Sequence, residues 1–333
     1  MSNLAAVVER ERAEAVAEAL TAEGVYDDTR SVAPHGDGVA LPVTTPPIET
    51  DVRGVVRVDL PTRERGLRDL LAARGWSDAE LARAPGSWAV VGSCVLVDAP
   101  DEPFPDQAAV GEALLELHGA ADTVLVAQGV SGVRREPEVT VLAGTGDTET
   151  IHTEHGTRYA LDLAEVMFSP GNKTERARMG GVVTEGERVF DMFAGVGYFT
   201  LPMARAGATV TAAEINPTAY RYLVENAVLN GVEERVRALR ADCRDVEANA
   251  DRVVMGYYDA PDYLESAVAA LEAGGILHVH AAVPEPELWA RPVDRIRAVA
   301  GEVTVLDRRI VKSHAPGVQH VVVDARMDSA PPI

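Results

Sequence analysis

The sequence predicts an α/β protein whose C-terminal half carries a seven-stranded, mostly parallel sheet of Rossmann-like form, preceded by smaller α+β regions. Three observations predict it. From Phe168 onward, short β-rich runs alternate with helical segments, the rhythm of parallel strands joined by crossover helices. A glycine-bearing stretch, DMFAGVGYF (Asp191 to Phe199), stands between the first of these runs and a helix. The last two runs leave little room for a helix between them, which fits a final antiparallel hairpin.

Taken in order, residues 3–24 read as one amphipathic helix, with Asn3 as N-cap, Leu4, Val8, Val16 and Leu20 near one face, and Gly24 as the stop. Val39 to Val43 reads as a strand, and TTPPIET after it as a linker. A helical region is predicted from Thr62 to Ala84, closed by Pro85-Gly86. β-rich runs follow at Trp88 to Val97 and Thr123 to Val126, with a helix at Ala108 to His118 between them. RREPEVTVLAG and DTETIHTEHGTRYALDL then read as strand, loop and strand. The sheet strands are placed at Arg188 to Met192, Thr209 to Glu214, Val236 to Ala241, Arg252 to Met255, Gly275 to His280, Val303 to Ile310 and Gln319 to Arg326. This is the outline of the class I methyltransferase fold. At 333 residues two or three folded units are expected, set at 1–65, 66–166 and 167–333.

Composition narrows the class. Apolar residues make up 47% of the chain, enough to build cores and to argue against disorder. Charges interrupt the N-terminal segment where a leader peptide needs an apolar core, and no apolar run is long enough for a membrane helix, so a cytoplasmic protein is expected. Cys94 and Cys243 fit no metal spacing, so no metal is expected, and a monomer is the default. The formal charge is −21, and only two of the 31 basic residues, Lys173 and Lys312, are lysine. Such an acid-rich, lysine-poor surface resembles those of salt-loving organisms. In molar salt the Debye length falls to about 3 Å, so the charge does not exclude a polyanionic partner.

The glycine stretch suits a nucleotide. Gly195 and Gly197 let the backbone turn tightly and approach a ligand, whereas Thr200 at the place of a third glycine disfavours a dinucleotide. Glu214 ends the next strand, 19 residues beyond Gly195, where a carboxylate can accept from two ribose hydroxyls. Asp242, in RADCRD after the third strand, can accept from an adenine amino group or cap a helix. Asp191, Phe193, Ile215 and Cys243, their neighbours in these loops, complete the expected cofactor set.

Together MFSPGNKTERARM, DMFAGVGYFTLP, AAEINPTAYRYLVENAVLN and VKSHAPGVQHVVVDA resemble the family that contains the tRNA guanine-37 N1-methyltransferases and their wybutosine-synthesising relatives. The resemblance covers roughly residues 120–327 and is looser before about 110. It implies S-adenosylmethionine as cofactor and the purine beside the anticodon of tRNA as target. The methylating branch typically carries Arg in an SPRLATER version of the first motif and Asn in an Asn-Leu-Pro-like motif after the fourth strand. Here the motifs read SPGNKTER and MGYYDAP, with Gly171 and Gly256 at those places. Glycine has no side chain to polarise or deprotonate guanine, and it leaves space for a larger base.

The resemblance therefore implies the branch that transfers the 3-amino-3-carboxypropyl group to C7 of 4-demethylwyosine in tRNA-Phe. Guanine N1-methylation is the first alternative, a non-catalytic tRNA-binding protein the second, and a small-molecule methyltransferase the third. Ser169 and Arg176 are expected at the cofactor's amino-acid end, because hydroxyl and guanidinium groups suit a carboxylate. Asn172, Lys173, Arg178, Gly256, Tyr257 and Lys312 are expected to face tRNA or the target base, with Arg308, Arg309 and His314 adding to a phosphate patch around Lys312 and Tyr258 joining Tyr257 as a stacking platform. The sequence names no proton acceptor; Glu175 and His314 are the two candidates.

Overall fold

The computed structural model describes residues 3–63, 66–100 and 102–328. The chain packs as two compact units, Met1–Ala84 and Pro85–Ile333.

In the first unit, β1 (Asn3–Val8) is the third strand of an antiparallel sheet that also holds β2 (Ala33–His35), β3 (Gly38–Val43) and β4 (Gly54–Val58), in the order β2-β3-β1-β4. The helix expected over 3–24 is therefore corrected. Residues 3–8 pair on both sides, Leu4 with Val43 and with Arg57, and this pairing overrides the helical spacing of the apolar residues. Asn3 caps nothing. Only α1 (Ala13–Ala22) is α-helical, and its Val16 and Leu20 bury against Ala6, Val8, Leu41 and Val43.

The stretch read as a linker is tied down. Glu23, just past α1, accepts from the N–H groups of Ile48, Glu49 and Thr50 and from the Thr50 hydroxyl. These bonds hold its carboxyl down at about 2. The helical region expected from Thr62 resolves into α2 (Leu67–Ala73) and α3 (Asp78–Leu81), the latter opened by a Ser77/Glu80 capping box. Its residues 64 and 65 lie outside the described ones.

The second unit begins with a four-stranded sheet in the order β5-β6-β7-β8, formed by β5 (Trp88–Val91), β6 (Cys94–Asp98), β7 (Thr123–Ser131) and β8 (Glu136–Gly144). The helix α4 (Gln107–Leu117) makes the crossover between parallel β6 and β7. A hairpin of β9 (Glu149–Glu154) and β10 (Thr157–Asp162) leads to α5 (Lys173–Val182).

Then comes the large sheet. Its elements are β11 (Arg188–Asp191), α6 (Thr200–Arg205), β12 (Thr209–Glu214), α7 (Pro217–Leu229), β13 (Val236–Arg240), β14 (Ala250–Met255), α8 (Leu264–Ala269), β15 (Leu271–Pro284), α9 (Ala290–Ala300), β16 (Val303–Ala315) and β17 (Val318–Met327). The order is β13-β12-β11-β14-β15-β17-β16, parallel as far as β15 and antiparallel at β17. Seven strands, the parallel body and the closing hairpin all match the expectation.

A break at 166/167 is not how this unit packs. Val91, Cys94 and Leu125 from the four-stranded sheet share one core with Tyr159, Leu161 and Met179, and with Val189 and Val210 of the large sheet. Burying apolar surface from both sheets in one cluster makes them a single folded body.

Candidate functional site

The strand order of the large sheet reverses at β11, because β12 lies on one side of it and β14 on the other, both parallel to it. Open α/β sheets bind ligands at the carboxyl ends of the strands beside such a switch point. A cavity of about 890 Å³ opens there, at the upper end of ordinary small-molecule sites and roomy enough for a nucleotide with a second group.

The loop after β11 forms one wall. Gly195 and Gly197 have φ of 56° and 104°, conformations that cost a side-chain-bearing residue dearly. A Cβ at Gly195 would lie 2.5 Å from the Tyr198 ring, and one at Gly197 2.7 Å from Leu201. Glu214 then ties the loop to the next strand. Its carboxylate accepts from the Gly195 N–H at 2.7 Å and from the Asn216 N–H at 2.6 Å. Burial raises its pKa, and these two donors oppose the rise.

Asp242 accepts from the backbone N–H of Arg244 and from its guanidinium, at 2.9 and 2.5 Å. Those bonds hold its carboxyl below the usual range. Cys243 beside it is buried and its thiol is pushed up to about 12, so it offers an inert surface rather than a nucleophile. Phe193 packs on Tyr257 and Tyr263 at centroid distances of 5.2 and 5.1 Å, which gives this end of the cavity an aromatic floor.

Ser169, Asn172, Phe193, Gly195, Glu214, Ile215, Asp242, Cys243, Gly256, Tyr257, Tyr258 and Lys312 all line the cavity, so the structure brings twelve of the expected site residues together. Others stand elsewhere. Asp191 is fully buried behind the loop, where its Oδ2 accepts from the Thr200 hydroxyl at 2.7 Å, and burial raises its pKa to about 6. That bond supports the loop, while Oδ1 is buried without a hydrogen-bond partner. Gly197 is likewise a packing requirement and is absent from the wall.

Arg176 also stands outside the cavity wall. Its guanidinium is 2% exposed and forks onto Glu154 at 2.6 and 2.7 Å, with a third bond to the Ser169 carbonyl. Three of its five N–H donors are spent inside the protein. Burial works against ionisation of Glu154, but bonds from His152 and Arg176 hold its pKa at about 2.

Neither candidate proton acceptor faces the cavity. Glu175 is buried and accepts from Arg309 Nε at 2.8 Å, while His314 is exposed and sits edge-on to Tyr258, 4.5 Å between centroids. Arg178 binds Asp324 at 2.6 Å, and Arg309 binds the same carboxylate at 2.8 Å. Arg308 lies over Trp289. Of the phosphate patch expected around Lys312, Arg309 is taken up by internal ion pairs, whereas Arg308 and His314 remain exposed. Lys173 is exposed at the start of α5 and outside the cavity wall.

The two glycines do not leave empty space. A Cβ at Gly256 would fall 2.5 Å from the Phe199 ring, and one at Gly171 would fall 3.0 Å from Lys312 Cδ. Their neighbours have filled the gaps. Several wall residues were not foreseen, namely Trp88, Leu96, Gln128 and Val130 from the four-stranded sheet, with Arg135, whose guanidinium lies 5.7 Å over Tyr257 and 5.9 Å over Tyr258. No local motif marks them, because they reach the site only through packing of the two sheets. Among the described residues no helix is long and apolar enough to cross a membrane, and no His, Cys, Asp and Glu cluster is arranged to hold a metal.

Comparisons with known proteins agree with this geometry. Residues 150–306 match the TRM5/TYW2 methyltransferase domain and residues 67–148 the TYW2 N-terminal domain. The chain is 33% identical to the tRNA (guanine(37)-N(1))-methyltransferase Trm5b of Pyrococcus abyssi over 97% of its own length and 99% of that protein. The crystal structure of that enzyme superposes with a TM-score of 0.78 over 97% of this chain and 99% of the other. It is 38% identical to the tRNA(Phe) (4-demethylwyosine(37)-C(7)) aminocarboxypropyltransferase of Pyrococcus horikoshii over 73% of this chain and 90% of that one. A crystal structure of P. horikoshii TYW2 in complex with MeSAdo matches with a TM-score of 0.68 and 34% identity, over 79% and 98% of the two chains. With matches of this length and identity, and with its glycine loop and acidic strand ends gathered at one cavity, the chain belongs to the TRM5/TYW2 family.

Proposed function

We propose that this chain transfers the 3-amino-3-carboxypropyl group of S-adenosylmethionine to C7 of 4-demethylwyosine at position 37 of tRNA-Phe. The observation that carries the choice within the family is the filling of the two glycine sites. Where guanine methylation calls for polar side chains, the cavity presents Gly171 backed by the Lys312 stem and Gly256 backed by the Phe199 ring. The match of residues 67–148 to the TYW2 N-terminal domain supports the same branch.

The cavity fits the cofactor. Glu214 and Asp242 supply acceptors for ribose and adenine, Gly195 lets the backbone come close, and Ile215, Phe193 and Cys243 give apolar contact. Bound S-adenosylmethionine supplies an electrophilic γ-carbon beside its sulfonium. The protein's own task is alignment. Tyr257, which packs on Phe193 and lies under the Arg135 guanidinium, is suited to contact the target base, and Asn172 lies on the same wall. Lys173, exposed at the head of α5, is suited to a tRNA phosphate. On this reading the protein works as a monomer in the cytoplasm of a salt-loving cell, where its charge of −21 is screened from the polyanion.

The experiment is incubation with labelled cofactor and tRNA carrying 4-demethylwyosine, followed by nucleoside mass analysis. Methylthioadenosine and the aminocarboxypropyl adduct are expected. S-adenosylhomocysteine with N1-methylguanosine would overturn the assignment in favour of guanine methylation.

A further inference from the structure

On a chain of charge −21 the β7–β8 hairpin presents an exposed end without a carboxylate. No acidic residue stands between Asp122 and Glu136, and two arginines, Arg134 and Arg135, sit in the turn. Val130, Val133, Arg134 and Arg135 line the cavity, yet Val133 is 82% exposed, so the tip stands at the opening. The large sheet holds it there. Asn216, buried at the head of α7, donates through Nδ2 to the Arg134 carbonyl at 3.1 Å, while its own N–H is bound to Glu214. Arg135 takes φ of 57°, a left-handed conformation unfavourable for a residue with a side chain, and its guanidinium lies over Tyr257 and Tyr258. That guanidinium is almost uncommitted. It donates from Nη2 to the Met167 sulfur at 3.5 Å, a weak acceptor, and its Nε is buried without a partner. Among the described residues neither Arg134 nor Arg135 has a carboxylate partner, in contrast to Arg176, Arg178 and Arg309.

A polyanion is repelled by the net charge of this protein and is best received where carboxylates are absent and guanidinium groups are free. An arginine laid on aromatic rings keeps its N–H edge for a phosphate, and an exposed apolar side chain beside it suits the face of a base drawn out of its stack. We propose that the tip of the β7–β8 hairpin is a finger that grips the RNA strand next to the target base, with Arg134 and Arg135 each binding a backbone phosphate and Val133 lying against a neighbouring base. This rests on the reading of tRNA as the substrate.

The test is titration of the full chain with a tRNA-Phe transcript across a series of salt concentrations, beside a separate titration with S-adenosylmethionine. Arg135→Gln should weaken tRNA roughly ten- to hundredfold, the range of a lost charged hydrogen bond. It should also make the slope of log affinity against log salt less negative by about 0.7, the share of one phosphate contact on a single strand. Arg134→Gln should move the slope equally, with a loss of about two- to fivefold, as for an exposed ion pair. Both variants should keep the cofactor affinity of the parent within about twofold. Val133→Asp puts a carboxylate in the gap and should weaken tRNA roughly tenfold or more beyond Val228→Asp, which adds the same charge at an exposed position of α7.

Unchanged tRNA affinity and salt slope in the two arginine variants would overturn the finger. Equal loss of cofactor and tRNA in Arg135→Gln would assign that residue to the cavity wall and overturn its part in gripping RNA, and equal losses in Val133→Asp and Val228→Asp would mean that only the overall charge matters. Should Arg135→Gln fail to fold, the exposed side chains of Arg134 and Val133 still decide the outcome, since neither packs in a core. A parent with no measurable affinity for tRNA would overturn the finger and the choice of substrate together. These are binding measurements, so a protein that gripped tRNA as expected yet methylated guanine would refute the proposed transfer and leave the finger standing.

Discussion

The loops after β11, β12 and β13 and the segment around α5 are both rich in charged residues, yet they use charge in opposite ways. Along the strand ends, Glu214 and Asp242 keep their carboxylates on the cavity wall, held by donors from their own neighbourhood. Around α5, Glu154, Glu175, Arg176, Arg178, Arg309 and Asp324 spend themselves on one another in a mostly buried network. A charged residue serves a ligand when its partners are local and leave a lone pair or proton free. Once long-range partners have exhausted its hydrogen-bonding capacity, it serves the fold.

Breaking the network should have the largest effect. Arg176→Ala leaves Glu154 buried without its main partner, and its loss is expected to cost about 3–5 kcal/mol, read as a lowered midpoint in denaturant titration. A variant as stable as the parent that had lost only cofactor affinity would erase the distinction between the two regions. Glu214→Ala should do the converse, weakening S-adenosylmethionine by about 1.5–3 kcal/mol, or roughly ten- to hundredfold. Unchanged affinity in the folded variant, measured by calorimetry, would remove the strand-end acid from the site. Gly256→Ala sharpens the boundary between them, since its Cβ would meet the Phe199 ring at 2.5 Å. Overpacking of about 1–3 kcal/mol is expected, larger than for Gly171→Ala, where the flexible Lys312 stem can yield. Equal costs in thermal unfolding would show that both gaps are equally rigid.

The smallest expected effect concerns pH. His280 and His320 are buried together, Nδ1 to Nε2 at 3.0 Å, and desolvation lowers both from 6.5 to about 3. Between those values the unfolded chain takes up protons that the folded one refuses, so stability is full above 6.5 and drains as pH falls towards 3. From pH 7 to 6 the loss is on the order of 0.5–1 kcal/mol per histidine. Asp191, raised to about 6, acts in the opposite sense over the same interval. The clean readout is therefore the difference between the parent and the double variant His280→Gln, His320→Gln, which should lose less stability on acidification. Parallel pH curves would mean that the pair is not held neutral.

Legibility in the sequence followed the same division. Glu214 and Asp242 could be placed because one ends a predicted strand and the other directly follows the next, and the sheet brings successive strand ends to one edge. The ion pairs could not, because Arg309 is 134 residues from Glu175 and Arg178 is 146 from Asp324, a separation no local pattern reports. The strand at the start of the chain was hidden for a related reason. Its apolar residues fit a helical face until β3 and β4 pair with it from both sides. Trp88 and Arg135 entered the cavity wall only through the core shared by the two sheets.

The position of β17 bears on how the chain is made. It is the last of the seven strands to leave a ribosome, but it lies inside the sheet, between β15 and β16, with Val321, Val322, Val323 and Ala325 fully buried. Until it arrives, β16 has no neighbour to pair with and the Lys312 wall has nothing to hold it. Synthesis and assembly therefore run in different orders here, and the nascent protein reaches its binding-competent form only when its final strand slots between two already made. Such late, non-local closure is slow and leaves apolar edges open in the meantime, which makes the finishing of this sheet the stage at which a growing chain is most exposed to proteases and to its neighbours.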